Sequence, residues 1–438
     1  MNRIGIRRED INLFEKRAPL TPDHVKQLVE RNISIVVQPS NERVFNEVSY
    51  SDAGAEIKPN LSDCQIILGV KEIPIEEIID EKTYLFFSHT IKGQSYNMPL
   101  LKTLLKKKTT LIDYELIKDH KDKRLVFFGD FAGYAGIINT LWAFGERIFW
   151  EGKNNLFKPI NQTIEYDGLA EARAAISEVG ENIRRKGTRP EITPLVIGVT
   201  GRGRVSKGVL EILSLLPITE IEPEELPGFI NDKTRHSPHS VYVVRFMKGD
   251  LYKPKDKGEV YDAKHFMHHP NEYESNLEKY IPYLTLLVNG IYWDTKFPKL
   301  LTKEYLKNYY NSGKQSLLKV IGDITCDIEG SIECTVKATD WKNPLYIYNP
   351  ITGYRNKGWE GDGIVMMTVD KLPTELPREA SDFFGKSLLP YLEELCRVDF
   401  SKSYEELMLP FELRDAVIVH KGKLTPKYQY LEKLLNQH

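Results

Sequence analysis

The run Pro194-Leu195-Val196-Ile197-Gly198-Val199 passes through Thr200 into Gly201-Arg202-Gly203-Arg204-Val205-Ser206-Lys207-Gly208. A short apolar run that ends in glycines reads as a strand buried on both faces, with a tight turn into a helix. That order commits the chain to an α/β class. Small residues at Gly201 and Gly203 let the backbone turn sharply and approach a pyrophosphate, which then faces the amides of a helix N-terminus. Gly201, Arg202, Gly203, Arg204, Val205 and Ser206 are therefore candidate cofactor contacts. Ser206 takes the third glycine place of the GxGxxG spacing, so the motif is imperfect. Its strand–turn–helix setting raises it above a plain tight turn.

In such sites an acid about 20 positions further on binds the ribose hydroxyls of NAD. Glu220 and Glu222 fall there, and Glu222 is the candidate. It favours NAD, whereas Arg202 and Arg204 could meet the 2′-phosphate of NADP, so NAD or NADP both stand at this point.

The first third of the chain alternates strands and helices, which argues for a parallel sheet covered on both faces. Strands are predicted at Arg3 to Arg7, Ile33 to Val37, Gln65 to Val70, Tyr84 to Ser88 and Thr110 to Tyr114. A helix starts at Thr21, where the hydroxyl can cap and Pro22 suits the first turn, and ends at Asn32. A second unit opens with a long aromatic helix from Gly133 through Trp142 and Phe149, and another helix covers Gly168 to Lys186. Strands resume at Tyr283 to Val288, Leu318 to Thr325 and Gly363 to Val369, and a last helix begins near Pro377. A length of 438 residues fits two domains. The charged stretch 224–280, rich in Pro and His, reads as an irregular insertion.

A formal net charge of −2 gives no electrostatic case for nucleic acid. Cys64, Cys326, Cys334 and Cys396 are far apart and read as reduced thiols. No apolar run reaches membrane-spanning length, and Met1-Asn2-Arg3 leads straight into a strand without a signal segment. The expectation is a cytoplasmic protein with no membrane partner. His265, His268 and His269 resemble metal-ligand spacing but lack supporting carboxylates, so no metal is expected.

Ligands in open parallel sheets bind beyond the carboxyl ends of the strands. Lys71 and Glu72 end one predicted strand; Ser88 and His89 end the next, with Lys92 and Gln94 in its loop. Singly, a strand-end lysine is usually a solvated rim residue and a histidine usually structural. Together on consecutive strands they form a candidate site.

At these residues the chain resembles the lysine-forming saccharopine dehydrogenases, and more closely the lysine–ketoglutarate reductase half of the aminoadipic semialdehyde synthases. The resemblance rests on Glu15 to Pro22, Gly69-Val70-Lys71-Glu72, His89 with Lys92 and Gln94, Asp113-Tyr114-Glu115 and the glycine turn. Its most specific run is Val369-Asp370-Lys371-Leu372-Pro373-Thr374-Glu375-Leu376-Pro377-Arg378-Glu379-Ala380-Ser381. It covers about residues 3–395 and is weakest across 224–280. Alanine dehydrogenase and the transhydrogenase nucleotide-binding subunit are more distant relatives.

The resemblance implies two doubly wound Rossmann-like domains with a cleft between them. Residues 1–130, completed by 378–438, would be the catalytic domain, and 131–377 the dinucleotide domain. The implied reaction condenses the lysine side-chain amine with 2-oxoglutarate, loses water and reduces the imine by hydride from NAD(P)H, giving saccharopine. Lys71 and His89 would be the acid–base pair, tuned by Glu72, Glu115 and Asp370. A lysine serves as base only if burial or cations depress its pKa, and an inward Glu72 would oppose that. Arg17, Lys92, Arg124 and Phe128 would bind substrate, and Asn289, Ile291 and Tyr292 would run along the cofactor. Asn12 stands where the shorter fungal relatives carry a lysine. The alternatives are an alanine-dehydrogenase-like amino acid dehydrogenase, against which the run at 372–381 argues, and a non-catalytic nucleotide-binding relative. Because the chain ends after the reductase half, a stand-alone enzyme linked to a separate saccharopine dehydrogenase is expected.

Overall fold

A computed structural model of the chain describes residues 1–10, 14–314 and 316–436. It divides into two compact units, Met1–Phe128 with Pro377–His438, and Gly129–Leu376.

The first unit is built on β1 (Ile4–Ile6), β2 (Ile35–Val37), β3 (Glu56–Ile57), β4 (Ile66–Leu68), β5 (Thr83–Phe86) and β6 (Thr110–Asp113). After the excursion into the second unit the chain adds β17 (Val417–His420) and β18 (Lys423–Leu424). The order across the sheet is β18-β17-β6-β5-β4-β1-β2-β3. β1, β2 and β4 are wholly buried, which is why they read as Ile, Val and Leu, with Gly5 in β1, and without polar alternation. The helix Pro22–Val29 is fixed at its start by Thr21, whose hydroxyl accepts the His24 N–H at 3.4 Å. Asn32, at φ 62°, takes the left-handed conformation that ends the segment. The helix Pro377–Arg397 belongs to this unit, where Phe384 packs edge-on to Tyr114, ring centroids 4.9 Å apart.

The second unit contains β7 (Leu195–Thr200), β8 (Ile218–Glu220), β9 (Val241–Phe246), β12 (Leu286–Asn289), β13 (Val320–Asp323), β14 (Leu345–Tyr348), β15 (Arg355–Lys357) and β16 (Ile364–Met367). Their order is β15-β14-β16-β13-β12-β7-β9-β8, and a separate hairpin pairs β10 (Tyr252–Pro254) with β11 (Tyr273–Ser275). Behind the glycine turn, the helices Gly129–Trp150 and Arg204–Leu213 come into backbone contact: a Cβ on Gly208 would lie 2.4 Å from the Asp130 carbonyl oxygen.

Three features differ from the sequence expectation. Both sheets are mixed, because β17 runs antiparallel to β6 and β14 antiparallel to β16. Residues 224–280 are not an irregular insertion throughout, since β9 is an internal strand hydrogen-bonded to β7 along six residues. The remainder of that stretch packs its aromatics into the core of the unit, with Tyr252 and Phe266 at 4.5 Å and Phe266 against Phe297, outside the stretch, at 5.1 Å. Among the described residues no helix is long and apolar enough to cross a membrane.

Candidate active site

In the first unit β1 pairs with β2 on one side and β4 on the other, so successive connections diverge there. The crevice at such a point, beyond the carboxyl ends of the strands, is where ligands of open α/β sheets bind. Lys71 emerges from β4 into this position, partly buried. Its backbone N–H donates to Glu9 Oε2 at 3.0 Å, and the Val70 N–H donates to Glu9 Oε1 at 2.7 Å. Burial pushes the Glu9 carboxyl up to about 7, against the pull of the Arg7 guanidinium.

His89 follows β5 on the neighbouring strand. Its backbone is left-handed at φ 51°, a conformation uncommon outside glycine that is held here by Asn97, whose side-chain amide donates to the His89 carbonyl at 3.1 Å. His89 Nδ1 is hydrogen-bonded to the Glu72 carboxylate. Burial raises Glu72, but the bond to His89 and the nearby Lys71 charge bring it below the ordinary glutamate value. A carboxylate accepts, so Nδ1 carries the proton and Nε2 is the atom open to proton exchange. Glu72 is thus directed to His89 while still sensing Lys71.

Arg17 completes the cluster. Its Nε and Nη2 donate to the two oxygens of Glu15 at 2.7 and 2.6 Å, and its guanidinium lies 4.2 Å above the Phe128 ring. Phe128 in turn stacks on Phe384 at 4.6 Å. Burial opposes the Glu15 charge, yet Arg17, with Lys71 further off, holds its carboxyl below the ordinary range. Lys71, Glu72, His89, Arg17 and Phe128 therefore come together. Lys92 is exposed on the turn after His89, and Arg124 is half exposed and paired with Glu115. Asn12 lies outside the described residues. Glu9 and Glu15 carried no role in the sequence reading. Glu9 had one signal, an acid three residues beyond a buried strand at its carboxyl end.

In the second unit the corresponding divergence is at β7, between β9 and β12. A cavity of about 750 Å³ opens there, lined by the glycine turn and by Lys248, Tyr261, Met267, Ile291 and Tyr292. Gly201 sits at φ 84°, and a Cβ on Gly203 would meet nothing within 4 Å, so that backbone is bare toward the cavity. Ser206 is fully buried and donates to the Thr200 carbonyl at 2.8 Å, stitching the turn where a third glycine is usual. A bare glycine turn at the start of a ten-residue helix fits a pyrophosphate. Val205 lines the cavity with Arg202 and Arg204, although Arg204 also reaches Asp130 at 3.2 Å.

Three candidates are placed elsewhere. Asn289 is fully buried and ties strand ends together, accepting from Thr200 Oγ1 at 2.7 Å and donating to Asp323 and Ser331, each at 2.9 Å. Glu222 follows β8, an edge strand, and the strand beside β7 is β9. Asp370 is exposed after Val369, and its carboxylate accepts the Lys371 N–H at 2.9 Å. Sequence reasoning missed Lys248, Tyr261 and Met267. The alternation-free run Val241-Tyr242-Val243-Val244 was the available signal for a buried strand leading to them. In the histidine cluster, His268 Nδ1 donates locally to the Lys264 carbonyl at 2.8 Å, and the His265 and His269 rings stack at 4.7 Å. Among the described residues no group of side chains stands where it could hold a metal ion.

Comparison with known proteins adds to this geometry. Residues 5–135 match the alanine dehydrogenase/PNT N-terminal domain, and residues 252–427 match the alanine dehydrogenase/PNT C-terminal domain. The chain belongs to the alanine dehydrogenase/PNT family. Its C-terminal domain implies NAD(P) binding. The alpha-aminoadipic semialdehyde synthase of Arabidopsis thaliana is 39% identical over 98% of this chain and 41% of its own length. The mitochondrial enzyme of that name from Mus musculus is 37% identical over 98% of this chain and 48% of its own length. The chain thus spans less than half of either relative. The saccharopine dehydrogenase [NAD(+), L-lysine-forming] of Candida glabrata is 24% identical, covering 94% of this chain and 96% of that one. Among solved structures, an L-alanine dehydrogenase superposes with TM-score 0.63 at 18% identity over 99% of both chains. The transhydrogenase from Sinorhizobium meliloti gives 0.60 at 14% identity, over 96% of this chain and 99% of that one. These two likenesses carry the fold, and the expected alanine dehydrogenase- and transhydrogenase-like architecture is present.

Proposed function

We propose that the chain is an oxidoreductase that joins lysine and 2-oxoglutarate into saccharopine, with the Gly129–Leu376 unit as nucleotide holder and the other as substrate holder. The observation that carries the reading is the cluster at the ends of β4 and β5: Lys71, the Glu72–His89 pair and the buried Arg17. Imine formation from an amine and a ketone needs one group to take protons and one to return a proton to the leaving hydroxyl. Lys71 takes protons from the substrate ammonium and the carbinolamine. His89 donates from Nε2, and Glu72 on Nδ1 supports the imidazolium that precedes donation. Arg17 offers a guanidinium to a substrate carboxylate from a ring-backed position. A bound nicotinamide supplies the hydride. The choice of lysine and 2-oxoglutarate is supported by the 37–39% identity to aminoadipic semialdehyde synthases across nearly the whole chain.

The nucleotide we propose is NADP(H). In doubly wound sheets the strand beside the glycine-turn strand ends in an acid for NAD, whereas a nearby cation accommodates the 2′-phosphate. Here that strand is β9, followed by Met247 and Lys248, and the Lys248 ammonium is held below its ordinary range by burial and by Arg202. The test is cofactor oxidation by the purified chain with lysine and 2-oxoglutarate, run with both nucleotides. Oxidation that requires both substrates supports the reading. Oxidation with pyruvate and ammonia instead indicates an amino acid dehydrogenase, and binding without oxidation a non-catalytic relative.

A further inference from the structure

Two buried acids bracket the cluster. Across the sheet the order β6-β5-β4-β1 places Asp113, the last residue of β6, beside the strand leading to His89, and Glu9, beyond β1, beside the strand leading to Lys71. Asp113 is fully buried and Glu9 is 7% exposed. Each carboxylate is directed at the backbone of its neighbour. Glu9 accepts the consecutive N–H groups of Val70 and Lys71, one on each oxygen. Asp113 Oδ2 accepts the Ser88 N–H at 3.0 Å and the Ser88 hydroxyl, while Oδ1 accepts the Glu115 N–H at 2.8 Å.

A carboxylate presents acceptors only, so it can bind two donors at once. A side-chain amide has one acceptor oxygen, and its NH2 group would oppose the second N–H. Burying a carboxylate is unfavourable unless its bonds offset the lost hydration, and backbone N–H donors at fixed positions do so only in one geometry. The arrangement therefore fixes where the chain leaves β4 and β5.

We propose that Glu9 and Asp113 are positioning residues, Glu9 for Lys71 and Asp113 for His89. Neither touches substrate in this role; each sets the backbone from which a reacting side chain extends. The proposal rests on the reading of Lys71 and His89 as the acid–base pair, and the experiment separates the two.

The decisive measurement is the pH-dependent acylation of Lys71 in the full chain, followed by peptide mass spectrometry and needing no substrate. It is run on wild type, Glu9→Gln and Glu9→Asp. Glu9→Gln is expected to shift the Lys71 labelling rate by about tenfold, one pKa unit's worth, in a variant whose folded state is checked by circular dichroism. Glu9→Asp, which keeps two acceptor oxygens, restores part of it. In turnover, Glu9→Gln lowers kcat by a similar factor with the nucleotide KM unchanged. If Glu9→Gln does not fold, Glu9→Asp and Asp113→Asn, with His89 carbethoxylation as readout, carry the test. Labelling that matches wild type in a folded variant overturns the proposal. A wild-type chain inert toward lysine and 2-oxoglutarate overturns the function above, and the labelling still decides the role of Glu9.

Discussion

Arg17 lies 4.2 Å above the Phe128 ring while Glu15 holds its Nε and Nη2, so one guanidinium edge is neutralised and the ring covers its face. Both partners are buried. Removing one charge of a buried pair leaves the other uncompensated and destabilises by about 3–5 kcal/mol, whereas removing both is far milder. Arg17→Gln is expected to show the large loss and the Glu15→Gln/Arg17→Gln double variant much less, in urea unfolding. Both should lose affinity for 2-oxoglutarate, because each lacks the guanidinium. A double variant as unstable as the single would show that the pair does not act as a unit.

Lys71→Met removes the proposed base with little change in volume. General acid–base contributions are about 10²–10⁴-fold, so kcat should fall by that range while the Kd for nucleotide, held in the other unit, stays put. Steady-state rates beside a fluorescence titration of nucleotide check both halves. An unchanged rate removes Lys71 from the mechanism.

Much of this arrangement is legible in the residues, for physical reasons that also explain what is not. β4 and β5 are short apolar runs that stop at Lys71 and His89, and a parallel sheet brings the ends of such strands side by side. The glycine turn is local, so Gly201 and Ser206 are visible as a motif. Glu9 acts through a hydrogen bond to a residue 62 positions away, which no local pattern encodes. Spacing from the glycine turn points to Glu222, and spacing misleads there because β8 goes to the sheet edge and β9 takes the inner place. The strand Val417–His420 is not legible locally: three apolar residues and a histidine are too few to distinguish from a buried turn without β6 beside them.

Lys248→Glu tests the nucleotide. A hydrogen bond to a charged group is worth about 1.5–3 kcal/mol, and reversing the charge adds repulsion. The KM for NADPH should rise by about tenfold or more, with NADH little affected. Equal loss for both nucleotides would assign Lys248 to the shared part of the molecule and return the choice to Arg202.

Gly203→Ala and Gly208→Ala separate phosphate approach from helix packing. A Cβ at Gly203 meets no protein atom within 4 Å, so stability should not change, while nucleotide affinity falls because the added methyl occupies the phosphate's path. At Gly208 the same methyl would stand 2.4 Å from the Asp130 carbonyl oxygen, and overpacking of that kind costs about 1–3 kcal/mol. Thermal melts with and without NADP distinguish them. A Gly203→Ala protein that binds as tightly as wild type would move the pyrophosphate away from this turn.

Glu375 sets a pH dependence that its substitution should remove. It is 3% exposed, and its Oε2 accepts from the Asn139 side-chain amide at 2.9 Å. Burial raises its carboxyl to about 7, opposed by that single hydrogen bond. A carboxyl raised in the folded state binds its proton more tightly there than in the unfolded chain. Its contribution is therefore fully present below the ordinary value of 4.5 and is lost as pH rises through about 7. The shift corresponds to about 3 kcal/mol of stability lost between these limits. Glu9 shifts in the same direction, so wild-type stability should fall from pH 5.5 to 8.5 and Glu375→Gln should fall less. Glutamine keeps an oxygen for Asn139 and never ionises, so the variant should be the more stable protein at pH 8.5. Urea midpoints at the two pH values measure this. Parallel losses in wild type and variant would mean that Glu375 stays ionised in the folded chain at both.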